Sequence, residues 1–134
     1  MKSEDMYKRH ILELYKNPKN FGKIENATNK KTAVNPIQHT EENTFCGDEI
    51  TIYLVVKNDK IENVKFTGEG CAISIASASL LTDKIKGMNV EDVKKMDSNE
   101  VLKLLKIDVN PGRIKCALLP LEAVKKSLKK GWFS

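Results

Sequence analysis

An α+β fold is predicted: a small antiparallel β-sheet of about three strands packed against several helices. Three observations predict it. The stretch 49–57, Glu49-Ile50-Thr51-Ile52-Tyr53-Leu54-Val55-Val56-Lys57, is rich in β-branched and aromatic residues, and 60–67 alternates apolar with polar residues. Asn58-Asp59 lies between them, and both residue types tolerate positive φ, so the two strands form a tight hairpin and pair antiparallel. Elsewhere the pattern turns helical, with capping residues ahead of apolar positions.

In chain order, an amphipathic helix is expected over about 5–15, with Met6, Ile11, Leu12 and Tyr15 near helical spacing. It must end in Asn17-Pro18-Lys19-Asn20-Phe21-Gly22, because Pro18 disfavours helical dihedrals at Asn17 and Gly22 follows as a breaker. A loop or weak strand occupies roughly 29–40, ahead of the hairpin. After Gly70 the residues become small and helical, running to about Lys86 and stopping at Gly87; so many small side chains permit close approach to a sheet or another helix. Asn89 and Asp97-Ser98 each open a short helix with acids in its first turn. The last helix is expected over about 117–130, with Ala117, Leu121, Val124 and Leu128 on one face and Pro120 in a tolerated first-turn position.

No linker or repeat divides the chain, so 1–134 is read as one domain, large enough to fold without a covalent staple. No apolar run approaches the ~20 residues of a bilayer span, and the first residues lack the apolar segment of a signal peptide. A cytoplasmic protein with no membrane association is expected, and there thiols stay reduced. The net charge of +5 suggests nucleic acid at first sight, but the lysines are interleaved with acids except at Lys125, Lys126, Lys129 and Lys130. No aromatic-plus-basic stripe accompanies them, so the stacking half of a single-strand surface is missing and no nucleic-acid partner is expected, though acidic protein partners remain compatible with the charge.

The chemistry lies in three cysteines. Cys46 sits in Phe45-Cys46-Gly47-Asp48, Cys71 in Gly70-Cys71-Ala72, and Cys116 in Arg113-Ile114-Lys115-Cys116-Ala117. An odd number of thiols with no Cys-x-x-Cys pair is not a disulfide framework, and separations of 25 and 45 residues fit no zinc-finger spacing. Cysteine taken singly often packs as a small hydrophobe. These three instead have a glycine, a charge or a helix start beside them. Cys71 and Cys116 are placed at helix N-termini, where the macrodipole favours thiolate, and Arg113 and Lys115 add positive charge near Cys116. Asp48, two residues after Cys46, is a candidate fourth ligand. Three thiolates and one oxygen can hold a metal or handle sulfur.

At these residues the chain resembles the NifU/IscU/SufU iron–sulfur cluster assembly scaffolds, over essentially its whole length. Leu14-Tyr15-Lys16-Asn17-Pro18-Lys19-Asn20-Phe21-Gly22 is similar to the family's N-terminal motif, and Cys46-Gly47-Asp48 to its Cys-Gly-Asp. Phe66-Thr67-Gly68-Glu69-Gly70-Cys71-Ala72-Ile73-Ser74, continued by Ala76-Ser77-Ala78-Ser79, matches its second cysteine segment, and 113–117 its third. The resemblance implies that Cys46, Asp48, Cys71 and Cys116 hold a transient [2Fe–2S] cluster built from iron and from sulfur delivered by a cysteine desulfurase, then passed to apo iron–sulfur acceptor proteins. On that reading Cys116 is the candidate persulfide acceptor, given its positive surroundings, with Cys46 as the competing acceptor. Cluster proteins that keep their cofactor tend to use four cysteines; three thiolates and a harder oxygen suit release.

The chain departs from both subtypes. Lys115 stands where IscU-type members have His, as in SufU-type members, yet the 45-residue separation of the second and third cysteines leaves no room for the SufU-type insertion. Thr44 replaces the usual proline before the first cysteine, and the absence of Leu-Pro-Pro-Val-Lys argues against recruitment of a dedicated Hsp70-type chaperone. The alternative function is therefore a zinc-dependent sulfurtransferase, with Zn²⁺ on the same four residues and one thiolate accepting persulfide sulfur; a purely structural zinc is the third reading. The protein is expected to be a monomer or weak homo-oligomer. Gly68-Glu69-Gly70 is not a dinucleotide fingerprint, since Ile73 stands where the last glycine belongs. His10 is read as a surface residue, His39 as a loop residue near the metal at most, and Trp132-Phe133 as a packing lid or partner contact.

Overall fold

The computed structural model describes the backbone of residues 2–24, 36–44 and 47–131, with side chains from 6 to 130 within those spans. The elements run α1 (Lys2–Lys16), β1 (Ile37–Asn43), β2 (Asp48–Lys57), β3 (Lys60–Glu69), α2 (Ala72–Ile85), α3 (Val90–Lys95), α4 (Ser98–Leu105), a 3₁₀ turn (Pro111–Arg113) and α5 (Ile114–Gly131). The strands form an antiparallel sheet in the order β1-β2-β3. Asn58 and Asp59 take φ of 55° and 62°, the primed turn that matches strand twist. The weak strand is real, but it begins at Ile37 and runs to Asn43; the earlier part of the expected 29–40 span lies outside the described residues.

The sheet has one buried face. Ile50, Ile52, Leu54, Val64 and Phe66 alternate onto it and pack against Ile75, Ala78, Leu81 and Ile85 of α2 and Leu119, Val124 and Leu128 of α5. A second apolar cluster joins Ile11 and Leu14 of α1 to Ala76 of α2 and Ala117 of α5. α2 is thus enclosed by the sheet on one side and by α1 and α5 on the others. Its serines and Thr82 are buried without cost because each hydroxyl has a backbone acceptor: Ser79 donates to the Ile75 carbonyl (3.0 Å), Thr82 to Ala78 (2.7 Å) and Ser77 across to Ala117 of α5 (2.6 Å).

Two helices differ from expectation. In α1 the buried residues are Ile11 and Leu14, while Met6, Leu12 and Tyr15 are about half exposed or more, so the core stripe is narrower than the apolar spacing suggests. α5 begins at Ile114 rather than near Ala117, which puts Pro120 inside the helix. The start is set upstream, where the Asn110 side chain caps the 3₁₀ turn by accepting from the Gly112 N–H (2.9 Å) with Pro111 in the first turn. Pro120 has no N–H to offer the Cys116 carbonyl four residues back.

The segment after α1 straps onto the sheet. Asn20 takes φ of 61°, its carbonyl accepts from the Phe66 N–H (3.0 Å), and the Gly22 N–H donates to the Phe66 carbonyl (2.8 Å). The Asn20 side-chain amide donates to Thr82 Oγ1 (3.0 Å), and Lys86 Nζ donates to the Asn20 side-chain oxygen Oδ1.

β1 is tied to α5 by a charged strut. Glu41 accepts from Lys126 Nζ (2.5 Å) on one oxygen and meets His39 Nε2 (2.9 Å) on the other. Burial pushes the Glu41 carboxyl up, but the hydrogen bonds and charges of Lys126 and His39 outweigh it and hold the carboxyl below its usual range. The Glu41 hydrogen bond, against slight desolvation, raises Lys126. A lowered acid contributes stability that is present above its ordinary value of 4.5 and lost as pH falls through the folded value. A raised lysine contributes below its ordinary 10.5 and loses this as pH rises through the folded value. Glu41→Gln is therefore expected to melt below wild type at neutral pH, with the gap closing in acid. A gap unchanged down to the acid limit would show that the strut carries no charge-dependent stability.

Candidate metal centre

Asp48, Cys71 and Cys116 come from three separate elements and converge. One oxygen of Asp48 and the two sulfur atoms all lie within 4.8 Å of one another. Asp48 is the first residue of β2 and faces the buried side, 2% exposed. Cys71 is the N-cap of α2, with extended dihedrals and a side chain not engaged in capping. Cys116 is the third residue of α5, fully buried. The Ser77 bond to the Ala117 carbonyl fixes α5 against α2 beside Cys116.

The carboxylate is held by the backbone of the second thiol. Asp48 Oδ1 accepts from the Cys71 N–H at 3.0 Å, and Oδ2 lies 3.7 Å from Cys71 Sγ. This close approach needs glycine at 70: a Cβ there would fall 2.7 Å from Asp48 Oδ1 and 2.5 Å from Ser74 Oγ. Gly68 is equally forced, since a Cβ would meet the Glu49 carbonyl oxygen at 2.3 Å. The Gly-x-Gly ahead of Cys71 is therefore a packing device, as its mismatch with a dinucleotide fingerprint suggests.

The donor set suits a cation. Ligands at tetrahedral zinc with ~2.3 Å bonds to sulfur stand about 3.8 Å apart, so small inward shifts from the observed spacing would close a shell. No cation among the described residues pairs with the buried Asp48 carboxylate, and a buried carboxylate without one is costly. Two thiols and a carboxylate fit zinc or iron better than magnesium or calcium, which prefer all-oxygen sites.

Cys46 lies outside the described residues, as do Trp132 and Phe133. The flanking Gly47 has φ of 72°, and its N–H donates to the Asn43 carbonyl (2.9 Å). Lys115 and Arg113 are exposed at the start of α5, beside Cys116. His39 is on β1, engaged with Glu41 instead of the metal centre, and His10 is exposed on α1. Ser74, fully buried and 3.9 Å from Cys71 Sγ, is a site neighbour that the sequence reading passed over as a small packing residue; its position three residues after Cys71, one helical turn on, was the available signal. A groove of about 480 Å³ opens alongside, lined by Tyr15, Lys16, Pro18 and Phe21 on one wall and Gly68, Glu69, Gly70 and Ile75 on the other.

Comparison with known proteins agrees with this architecture. An iron–sulfur cluster assembly scaffold protein, IscU 1 of Archaeoglobus fulgidus, is 33% identical over 92% of this chain and 74% of its own length. The zinc-dependent sulfurtransferase SufU of Bacillus subtilis is 32% identical over 95% of this chain and 92% of its own. A crystal structure from Fervidobacterium islandicum AW-1, described as a candidate iron–sulfur cluster assembly scaffold for a SUF system, superposes with a TM-score of 0.69 at 32% identity, covering 88% of this chain and 93% of that one. Residues 6–131 match the family described as the NifU-like N terminal domain, and the chain belongs to that family.

Proposed function

We propose that this protein is a scaffold on which iron and sulfide combine into a transient [2Fe–2S] cluster that is then passed to apo-proteins, with Cys46, Asp48, Cys71 and Cys116 as its ligands. The observation that carries the reading is the meeting of one carboxylate oxygen and two sulfurs within 4.8 Å, at a buried carboxylate with no cation beside it among the described residues. Relatives named as cluster assembly scaffolds support it. Sulfur arrives from a cysteine desulfurase as persulfide: a thiolate of this chain, Cys116 or Cys46, attacks the outer sulfur, forms a new S–S bond and releases the desulfurase thiolate. Cytoplasmic action is part of this reading; no helix among the described residues is long and apolar enough to cross a membrane.

A second reading is a zinc-dependent sulfurtransferase that stops at the persulfide. Similarity to SufU favours it, as does Lys115, which leaves the position before Cys116 without a histidine ligand. Anaerobic reconstitution with ferrous iron, cysteine, a desulfurase and dithiothreitol, which supplies the electrons that reduce persulfide sulfur to sulfide, separates the two. A scaffold becomes coloured, gives its cluster to an apo-ferredoxin, and loses the colour in Cys46→Ser, Cys71→Ser or Cys116→Ser. A colourless protein that retains one zinc and passes sulfur onward would overturn the scaffold reading in favour of the sulfurtransferase.

A further inference from the structure

We propose that Ser74 is a positioning residue for the Cys71 sulfur, its hydroxyl turning from the Cys71 carbonyl to Sγ when that sulfur bonds a metal. The inference rests on the metal-site reading above and adds a residue to it. Ser74 is the third residue of α2 and fully buried. Its Oγ donates to the Cys71 carbonyl at 3.0 Å and lies 3.9 Å from Cys71 Sγ.

The chemistry of the sulfur dictates the change of partner. As a thiol, Cys71 is a weak donor and has two oxygens near it, Asp48 Oδ2 at 3.7 Å and Ser74 Oγ. Once metal-bound it carries no proton and can only accept. Asp48 has no proton to give as a carboxylate, and the Cys71 N–H is already committed to Asp48 Oδ1. Among the described residues the Ser74 hydroxyl is a side-chain donor within reach of Sγ, at 3.9 Å, and a charge-assisted bond to sulfur is stronger than one to a neutral carbonyl. Leaving the carbonyl costs little, because the Cys71 carbonyl also accepts from the Ile75 N–H at 3.2 Å. Gly70 keeps the space around Oγ open, since a Cβ there would stand 2.5 Å from it. Ser79 provides the contrast within the same helix: it is buried and bonds back to the Ile75 carbonyl, with no bond to sulfur.

Anaerobic cobalt(II) titration of the full chain tests this through the sulfur-to-cobalt charge-transfer band. A hydrogen bond to the sulfur withdraws electron density and moves that band to higher energy. Ser74→Ala is expected to shift the band to longer wavelength, Ser74→Thr to restore it, and Ser79→Ala, which loses a comparable back-bond, to leave it where wild type has it. A band unmoved in Ser74→Ala, or moved equally in Ser79→Ala, would overturn the inference. Wild type that takes cobalt without any sulfur band would instead sink the metal site itself. Should Ser74→Ala fail to fold, wild type loaded with a spin-active cadmium isotope decides alone: through-sulfur coupling between cadmium and the Ser74 hydroxyl proton is expected, and bound cadmium without it refutes the bond.

Discussion

Replacing Gly70 with alanine is expected to dismantle the candidate metal centre while the sheet stays folded. The new Cβ would stand 2.7 Å from Asp48 Oδ1, 2.9 Å from Asp48 Cγ and 2.5 Å from Ser74 Oγ. All three are side-chain atoms, so the strain is relieved by turning the carboxylate out of its place. That breaks the 3.0 Å bond from the Cys71 N–H and takes the oxygen donor away from the two sulfurs. Disturbing groups that orient ligands typically lowers metal affinity about 10–100-fold, and overpacking costs ~1–3 kcal/mol. Gly68→Ala is the comparison that gives the result meaning. Its Cβ would meet the Glu49 carbonyl oxygen at 2.3 Å, and that oxygen belongs to the backbone of β2 opposite β3. A strand cannot turn aside as a side chain can, so Gly68→Ala should act on global stability. Cobalt(II) affinity and thermal melting, measured on both variants, separate the effects. Wild-type cobalt affinity in Gly70→Ala would mean that the Asp48–Cys71 contact has no part in holding metal.

The sequence made the turns and the thiol neighbourhood legible because both depend on local chemistry. Asn58-Asp59 can hardly be anything but a primed turn between two β-rich runs, and the structure has that turn. Gly87 at φ of 80° follows α2 for the same local reason. Where side chains answer to distant partners, sequence spacing misled. Met6, Leu12 and Tyr15 look like a core stripe, yet among the described residues of α1 only Ile11 and Leu14 are buried, in a cluster with Ala76 of α2 and Ala117 of α5. Pro120 suggested a late start for α5, whereas Asn110 and Pro111 had already nucleated the helix from upstream. Ser74 is hard to read as a site residue because a serine in a helix of small residues is explained equally well by packing. Its place one turn after Cys71 is the one local hint, and the distance to Cys71 Sγ separates it from Ser79.

On the proposed scaffold reading, Asp48 offers the clearest separation of holding a cluster from letting it go. The residue is 2% exposed, accepts the Cys71 N–H, and stands within bonding reach of the metal that the two sulfurs would share. Removing it altogether confuses two effects: Asp48→Ala takes away an oxygen ligand and also leaves the Cys71 N–H without its acceptor, a loss of about 1–3 kcal/mol in a buried setting. Asp48→Asn keeps an acceptor oxygen for that N–H and removes the negative charge. A carboxylate beside two metal-bound thiolates adds repulsion to an already anionic group, and its oxygen competes with sulfur for iron. Taking the charge away should therefore let the cluster be held longer. About tenfold slower transfer to apo-ferredoxin is expected in Asp48→Asn, equivalent to ~1.4 kcal/mol on the barrier. Following the loss of visible absorbance after acceptor is added gives the rate directly. Transfer at the wild-type rate in Asp48→Asn, with Asp48→Ala only less stable to heat, would reduce the carboxylate to a prop for the turn before α2.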